Sequence, residues 1–158
     1  MTLEVKQEKV IAAYNAGDDE SKKLLETLFG KDKVCPKITE RVKTFWDALG
    51  MVKVSENIGI LLGYNGIDKE MLAAQAFAKL SIIHQALNEG WEPDYSNKNE
   101  PKYYPWFKWT AASGFSFFDC DYDDADSIVG ARLSFKSSEL AKYAAEQFAD
   151  LYRDFLTL

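Results

Sequence analysis

Two runs of bulky aromatic residues constrain this chain more than any other feature: Tyr103-Tyr104-Pro105-Trp106-Phe107-Lys108-Trp109 and Phe115-Ser116-Phe117-Phe118-Asp119-Cys120-Asp121-Tyr122. Aromatic side chains suit a pleated, half-buried surface, so both runs read as strands. Only Thr110-Ala111-Ala112-Ser113-Gly114 separates them, too short a link for a parallel crossover, and the strands therefore pair antiparallel. Pro105 has no N–H to give to a ladder, which places the first strand at an edge. A third candidate follows the acidic stretch Asp123-Asp124-Ala125-Asp126-Ser127. There Val129, Ala131, Leu133 and Phe135 alternate with Gly130, Arg132 and Ser134, the period of a half-buried strand. The expectation is a three-stranded antiparallel meander.

Ser137 is placed to cap a C-terminal helix, with Glu139 in its first turn and Leu140, Ala144, Phe148, Leu151 and Phe155 along one stripe. That helix folds back over its own sheet and covers one face. Residues 91–135 hold twelve of the chain's 22 aromatics, spread over both strand faces, so the second face needs cover too. It comes either from the long helix 68–88 or from a second chain in a symmetric dimer. Adjacency in sequence favours intrachain cover and a monomer.

The first half reads as helices. Val5–Tyr14 forms the first, and Asp18 or Asp19 caps a second carrying Leu24, Leu25, Leu28 and Phe29 up to Gly30. Lys31–Lys37 is a connector. Thr39 caps a third helix with Val42, Phe45, Trp46 and Leu49 on one stripe. Ser55–Gly66, with Gly59, Gly63 and Gly66, matches no phosphate-binding glycine fingerprint and reads as a loop. Asp68 caps the longest helix, to about Asn88, with Leu72, Ala76, Phe77, Leu80, Ile83 and Leu87 on a broad stripe and Gly90 after it. The architecture is α+β, organised as a helical N-terminal subdomain over 1–50 and an α+β domain over 51–158.

The run Ala86-Leu87-Asn88-Glu89-Gly90-Trp91-Glu92-Pro93-Asp94-Tyr95, then Lys102-Tyr103-Tyr104-Pro105-Trp106-Phe107, resembles a family of small proteins of bacterial prophages, phages and mobile elements. Arg132-Leu133-Ser134-Phe135-Lys136-Ser137 with Glu139-Leu140-Ala141, and Gln147-Phe148, Asp150-Leu151-Tyr152 and Asp154-Phe155, extend the likeness over the C-terminal half. The resemblance implies a phage or mobile-element setting in the cytoplasm of a bacterial host. It carries over no catalytic residue.

The net charge is −6, and it is uneven. Residues 91–158 hold 7 Lys and Arg against 12 Asp and Glu, a net of −5, so the aromatic half is the acidic half. Binders of single-stranded nucleic acid pair stacking aromatics with a basic groove. Here the groove is lacking and phosphate backbones are repelled, so no nucleic-acid partner is expected. The three glycine-stopped helices would allow a helix-turn-helix, but their near-neutral charge argues against it. No apolar run approaches the length of a membrane span, and the first residues lack the basic and apolar regions of a signal peptide. Cys35 and Cys120 stand far apart and read as two free thiols.

Asp119, Asp121 and Asp123 share a strand face, about 7 Å apart, and are the candidate metal ligands. Hard cations take such oxygens. The EF-hand pattern nevertheless fails, with Asp124 where glycine is required and Gly130 where the bidentate glutamate should stand. A solvated acidic hairpin end that discourages edge pairing is the structural reading. His84, the only histidine, has no metal-ligating partner at helical spacing and reads as structural. The interaction surface is expected at Trp91, Tyr104, Trp106, Phe118 and Arg132, with the Arg132 guanidinium stacked among strand aromatics. The leading function is a non-enzymatic accessory protein that binds another protein. The alternatives are a binder of a nucleotide-like small molecule held by aromatics and Arg132, and a divalent-metal-dependent enzyme using the aspartates. No cofactor is expected.

Overall fold

In the computed structural model, which describes residues 4–123 and 131–158, the chain divides into two compact units, one up to Arg41 and one from Val42 onward. The first unit is helical. α1 (Gln7–Ala16) and α2 (Asp19–Phe29) are tied by the Tyr14 hydroxyl, which donates to Glu26 Oε1 at 2.7 Å. The Asp18 carboxylate caps α2 by accepting the Ser21 N–H. Gly30 ends it at φ +86°, a conformation that costs glycine nothing. The Gly30 carbonyl then accepts from Lys33 and Val34, so the expected connector begins with a single helical turn, α3 (Lys31–Val34). α4 (Ile38–Arg41) follows, and Val10 and Val34 are the buried apolar residues among the described residues of this unit.

The second unit begins at a new helix start. The helix expected to run on from Thr39 starts afresh at Thr44, because Thr44 and Asp47 form a reciprocal capping box. Asp47 Oδ2 accepts the backbone N–H groups of both Lys43 and Thr44, which gives the backbone an alternative to continuing α4. α5 (Phe45–Met51) results. The glycine-rich stretch read as a loop is likewise α6 (Glu56–Leu62), capped by Ser55 and ended at Gly63. Its last carbonyls are met from outside: Gln75 Nε2 lies 2.8–3.2 Å from the carbonyl oxygens of Leu61, Leu62 and Tyr64.

α7 (Lys69–Asn88) has the bounds and the Asp68 cap that the sequence predicts. Leu80, Ile83, His84 and Leu87 are fully buried along it. β1 (Lys102–Thr110) and β2 (Gly114–Asp123) form an antiparallel hairpin, turned at Gly114 with φ +65°. The register pairs Trp106 with Asp119 and Phe107 with Phe117, leaving Phe118 as an extra, bulged residue. The bulge shifts the alternation by one. Phe115 and Phe117 pack with Phe107 on the helix side, and Cys120 returns to that side, its Sγ 3.8 Å from the Ser138 carbonyl. Phe118, Asp119 and Asp121 are left facing out.

The third strand of the expected meander does not form among the described residues. Ala131–Leu133 is a 3-10 helix, and Val129 and Gly130 lie outside the described residues. Among the described residues of this segment only Phe135 pairs, exchanging both backbone hydrogen bonds with Tyr103 at 2.7 and 3.0 Å. This bridge is on the far side of β1 from β2, not beside β2 as a meander requires. Pro105 explains why it stays single. Two residues along that edge, where the next N–H would be needed, proline has none.

The closing helix is also interrupted. α8 (Ser138–Gln147) is capped by Ser137 and lies along both strands; at Phe148 the backbone leaves the helical region, and α9 (Ala149–Thr157) turns to pack on α7. The core therefore sits between α7, α9 and the inner sheet face. Phe77 meets Phe155 at 5.4 Å, Phe107 meets Tyr152 at 4.8 Å, and the His84 ring lies 3.8 Å from Phe135. The long helix does not cover the outer sheet face, where Trp106 and Phe118 are 50 and 56 per cent exposed.

Candidate functional site

The end of α7 organises the unit. Asn88 is buried, donates from Nδ2 to the Ser134 carbonyl and accepts the Lys136 N–H at Oδ1. Its own carbonyl accepts from Lys136 Nζ and from the Trp91 N–H. Glu89 and Gly90 take successive left-handed conformations, φ +52° and +84°. For glutamate that conformation is costly, and Lys136 Nζ holds the side chain at 3.2 Å. The sharp stop turns the chain back, so that Trp91 lies against the helix it has just left.

A cavity of about 580 Å³ opens there, lined by Trp91, Tyr95, Arg132, Ser81, Gln85 and His84 among others. His84 Nε2 is 2.7 Å from the Tyr152 hydroxyl, while Nδ1 has no hydrogen-bonded partner. Burial pushes the imidazole down to about 3, with the Ser134 backbone only partly offsetting it, so the ring is neutral near pH 7. Burial also raises the Tyr152 phenol, which keeps its proton. Below Tyr95, the Lys102 ammonium is almost wholly buried; it donates to the Asn97 and Glu100 carbonyls and lies 5.8 Å from the Tyr95 ring centre.

The second place is the outer sheet face. Trp106, Phe118, Asp119 and Asp121 line a shallow hollow, and Lys108 Nζ stands 3.8 Å above the Phe118 ring. Tyr104 donates to Asp123 Oδ2 at 3.0 Å, and burial, then Asp123, raises its phenol. The acidic residues have a local task. Tyr103 directs its backbone groups to Phe135, so Tyr122 opposite it, and Cys120 two residues earlier, turn theirs to the outer edge of β2. Those two N–H groups are taken by the Asp119 and Asp121 carboxylates, each at 2.8 Å. The edge is thereby closed to an incoming strand.

Changing Asp119 and Asp121 together to alanine is expected to cause concentration-dependent association in sedimentation velocity. The corresponding asparagine pair, which keeps the acceptor oxygens and removes the charge, should associate less. Equal behaviour of both pairs with the native chain would show that the carboxylates do not guard the edge.

The five residues expected to form one surface thus divide. Tyr104, Trp106 and Phe118 share the outer face, whereas Trp91 and Arg132 line the cavity beside α7; Arg132 is not stacked among strand aromatics. Among the described residues no three His, Cys, Asp or Glu side chains are grouped to hold a metal ion, and Asp124 and Asp126 lie outside those residues. Sequence reasoning missed Tyr95 and His84. The partner of His84 is 68 residues away, and no helical spacing points to it. No helix among the described residues is long and apolar enough to cross a membrane. No family model matches the chain, and neither a curated protein nor a solved structure is significantly similar to it.

Proposed function

We propose that the chain is a non-enzymatic accessory protein of a phage or mobile element, acting in the host cytoplasm by docking another protein on the outer face of its hairpin. The exposure of Trp106 and Phe118 side by side on the outer sheet face carries this reading. Tryptophan and its aromatic relatives dominate the binding energy of interfaces because they bury much area with few torsions to freeze. The acidic neighbours Asp119 and Asp121 set the class of partner as a protein with a basic surface. Face-to-face pairing of two copies would bring these carboxylates together, which favours a different partner over self-association.

The test compares affinity capture from cells carrying the gene, using the native chain, Trp106→Asp, Phe118→Asp and, as a control, Trp46→Asp, whose tryptophan is exposed elsewhere. One protein should be retained by the native chain and the control and lost from both sheet variants. Sedimentation equilibrium of the native chain at tens of micromolar should give a mass near 17.9 kDa. Identical capture profiles for all four proteins, or a dimer dispersed by Trp106→Asp, would overturn the reading.

A further inference from the structure

The cavity beside α7 has features that a packing defect lacks. It is large enough for a small ligand, and its walls are of two kinds. Trp91 and Tyr95, both half-buried, supply flat aromatic surface. Ser81, Gln85 and Arg132 supply polar groups, and Arg132 takes part in none of the ion pairs among the described residues. His84, 2 per cent exposed, also lines this cavity, and its Nδ1 makes no hydrogen bond among the described residues. Buried polar atoms in folded proteins are almost always paired, so an orphan on a residue that lines a cavity marks a place where a partner arrives.

The pairing of Nε2 with a phenol makes this nitrogen adaptable. When Tyr152 donates to Nε2, Nδ1 carries the proton and is a donor; when Nε2 donates to the phenol oxygen, Nδ1 is an acceptor. The ring is also held in place, its centre 3.8 Å from that of the Phe135 ring at a tilt of 33°. The cavity thus combines an aromatic wall, a guanidinium group and a hydrogen-bonding atom held in a fixed ring.

We propose that this cavity binds a planar heteroaromatic anion, with its ring against Trp91 and Tyr95, its negative group on Arg132 and a ring heteroatom on His84 Nδ1. A nucleoside monophosphate and an aromatic carboxylate share this chemistry. Glu92, also in the lining, disfavours a ligand of high negative charge and so sets the limit at one small anionic group. The site is separate from the hairpin face and does not depend on what docks there.

Isothermal titration of the full chain with the four ribonucleoside 5′-monophosphates, with indole-3-acetate and with inorganic phosphate tests the proposal. At least one ring-bearing anion should bind more tightly than about 1 mM, the weak end of specific affinity, and phosphate alone should bind at least roughly tenfold more weakly. Arg132→Gln, a change at an exposed residue, should weaken the ring-bearing anion about tenfold or more. Trp91→Ala should do likewise, while Trp106→Asp should leave binding unchanged. Binding of the monophosphates but not the indole acid identifies a nucleotide source, and the reverse identifies an aromatic acid. Absence of binding by every ring-bearing probe, or binding indifferent to both Arg132→Gln and Trp91→Ala, overturns the proposal.

Discussion

Phe135→Ala is expected to destabilise the second unit by about 3–5 kcal/mol, the range for removing a buried phenylalanine from a packed core. Phe135 is the largest of the fully buried side chains, and its surroundings are fixed on every side. Its ring packs on His84, and its backbone is bridged to Tyr103. Its neighbours Ser134 and Lys136 are held by the Asn88 side chain. With backbone held at three consecutive residues, the site has little freedom to collapse around the lost ring, which places the cost toward the upper end of that range. Urea denaturation followed by circular dichroism measures it. A loss below about 1 kcal/mol would mean that the 134–136 segment relaxes freely, contrary to its hydrogen bonding.

The second large effect is a pH dependence carried by His84. Its folded-state value, about 3, lies below the ordinary 6.5, so the unfolded chain takes up a proton that the folded chain refuses. Stability from this group is complete above pH 6.5 and is lost as pH falls from 6.5 toward 3, at about 1.4 kcal/mol per pH unit. Asp18, Asp47, Asp94 and Glu139 are held below the usual carboxylate range and so lose stability in the same direction, but at more acidic pH. The window from 6.5 to 4.5 therefore isolates the histidine, and the expected loss across it is about 2–3 kcal/mol. His84→Gln, which can still hydrogen-bond Tyr152, should be less stable at neutral pH and flat across that window. An equal slope in both proteins would show that the imidazole titrates normally in the fold.

Local signals in the sequence were reliable wherever local chemistry decides the outcome. The Asp68 cap, the run to Asn88, the Ser137 cap and the strand bounds depend on neighbours within a few residues, and they are found where expected. Two of the readings that changed depend on distant partners. Leu133, Ser134 and Phe135 are all buried in succession, which alternation alone does not suggest, because Asn88, 46 residues away from Ser134, binds that segment from below. Glycines at 59, 63 and 66 masked a helix that Gln75 completes by meeting its last carbonyls. A third difference is local: the capping box of Thr44 and Asp47, three residues apart, starts α5 in place of the expected Thr39 cap.

The site was half legible for the same reason. Tyr104, Trp106 and Phe118 fall together because a two-stranded register is short-range, although the bulge that sends both Phe118 and Asp119 outward has no sequence marker. Trp91 and Arg132 were singled out as residue types. Their meeting beside His84 required the chain to reverse at Glu89 and Gly90 and to return at Arg132.

Pro105 on one side of the hairpin and the Asp119 and Asp121 carboxylates on the other bear on the stoichiometry of any complex. Contacts made through strand edges propagate, since each added strand presents a fresh edge to the next, and such assemblies grow without a natural end. A patch on a face is used up once it is covered. With both margins of the hairpin chemically stopped, docking of the kind proposed for the aromatic face would saturate at one partner per chain, and the complexes it forms would be finite and countable.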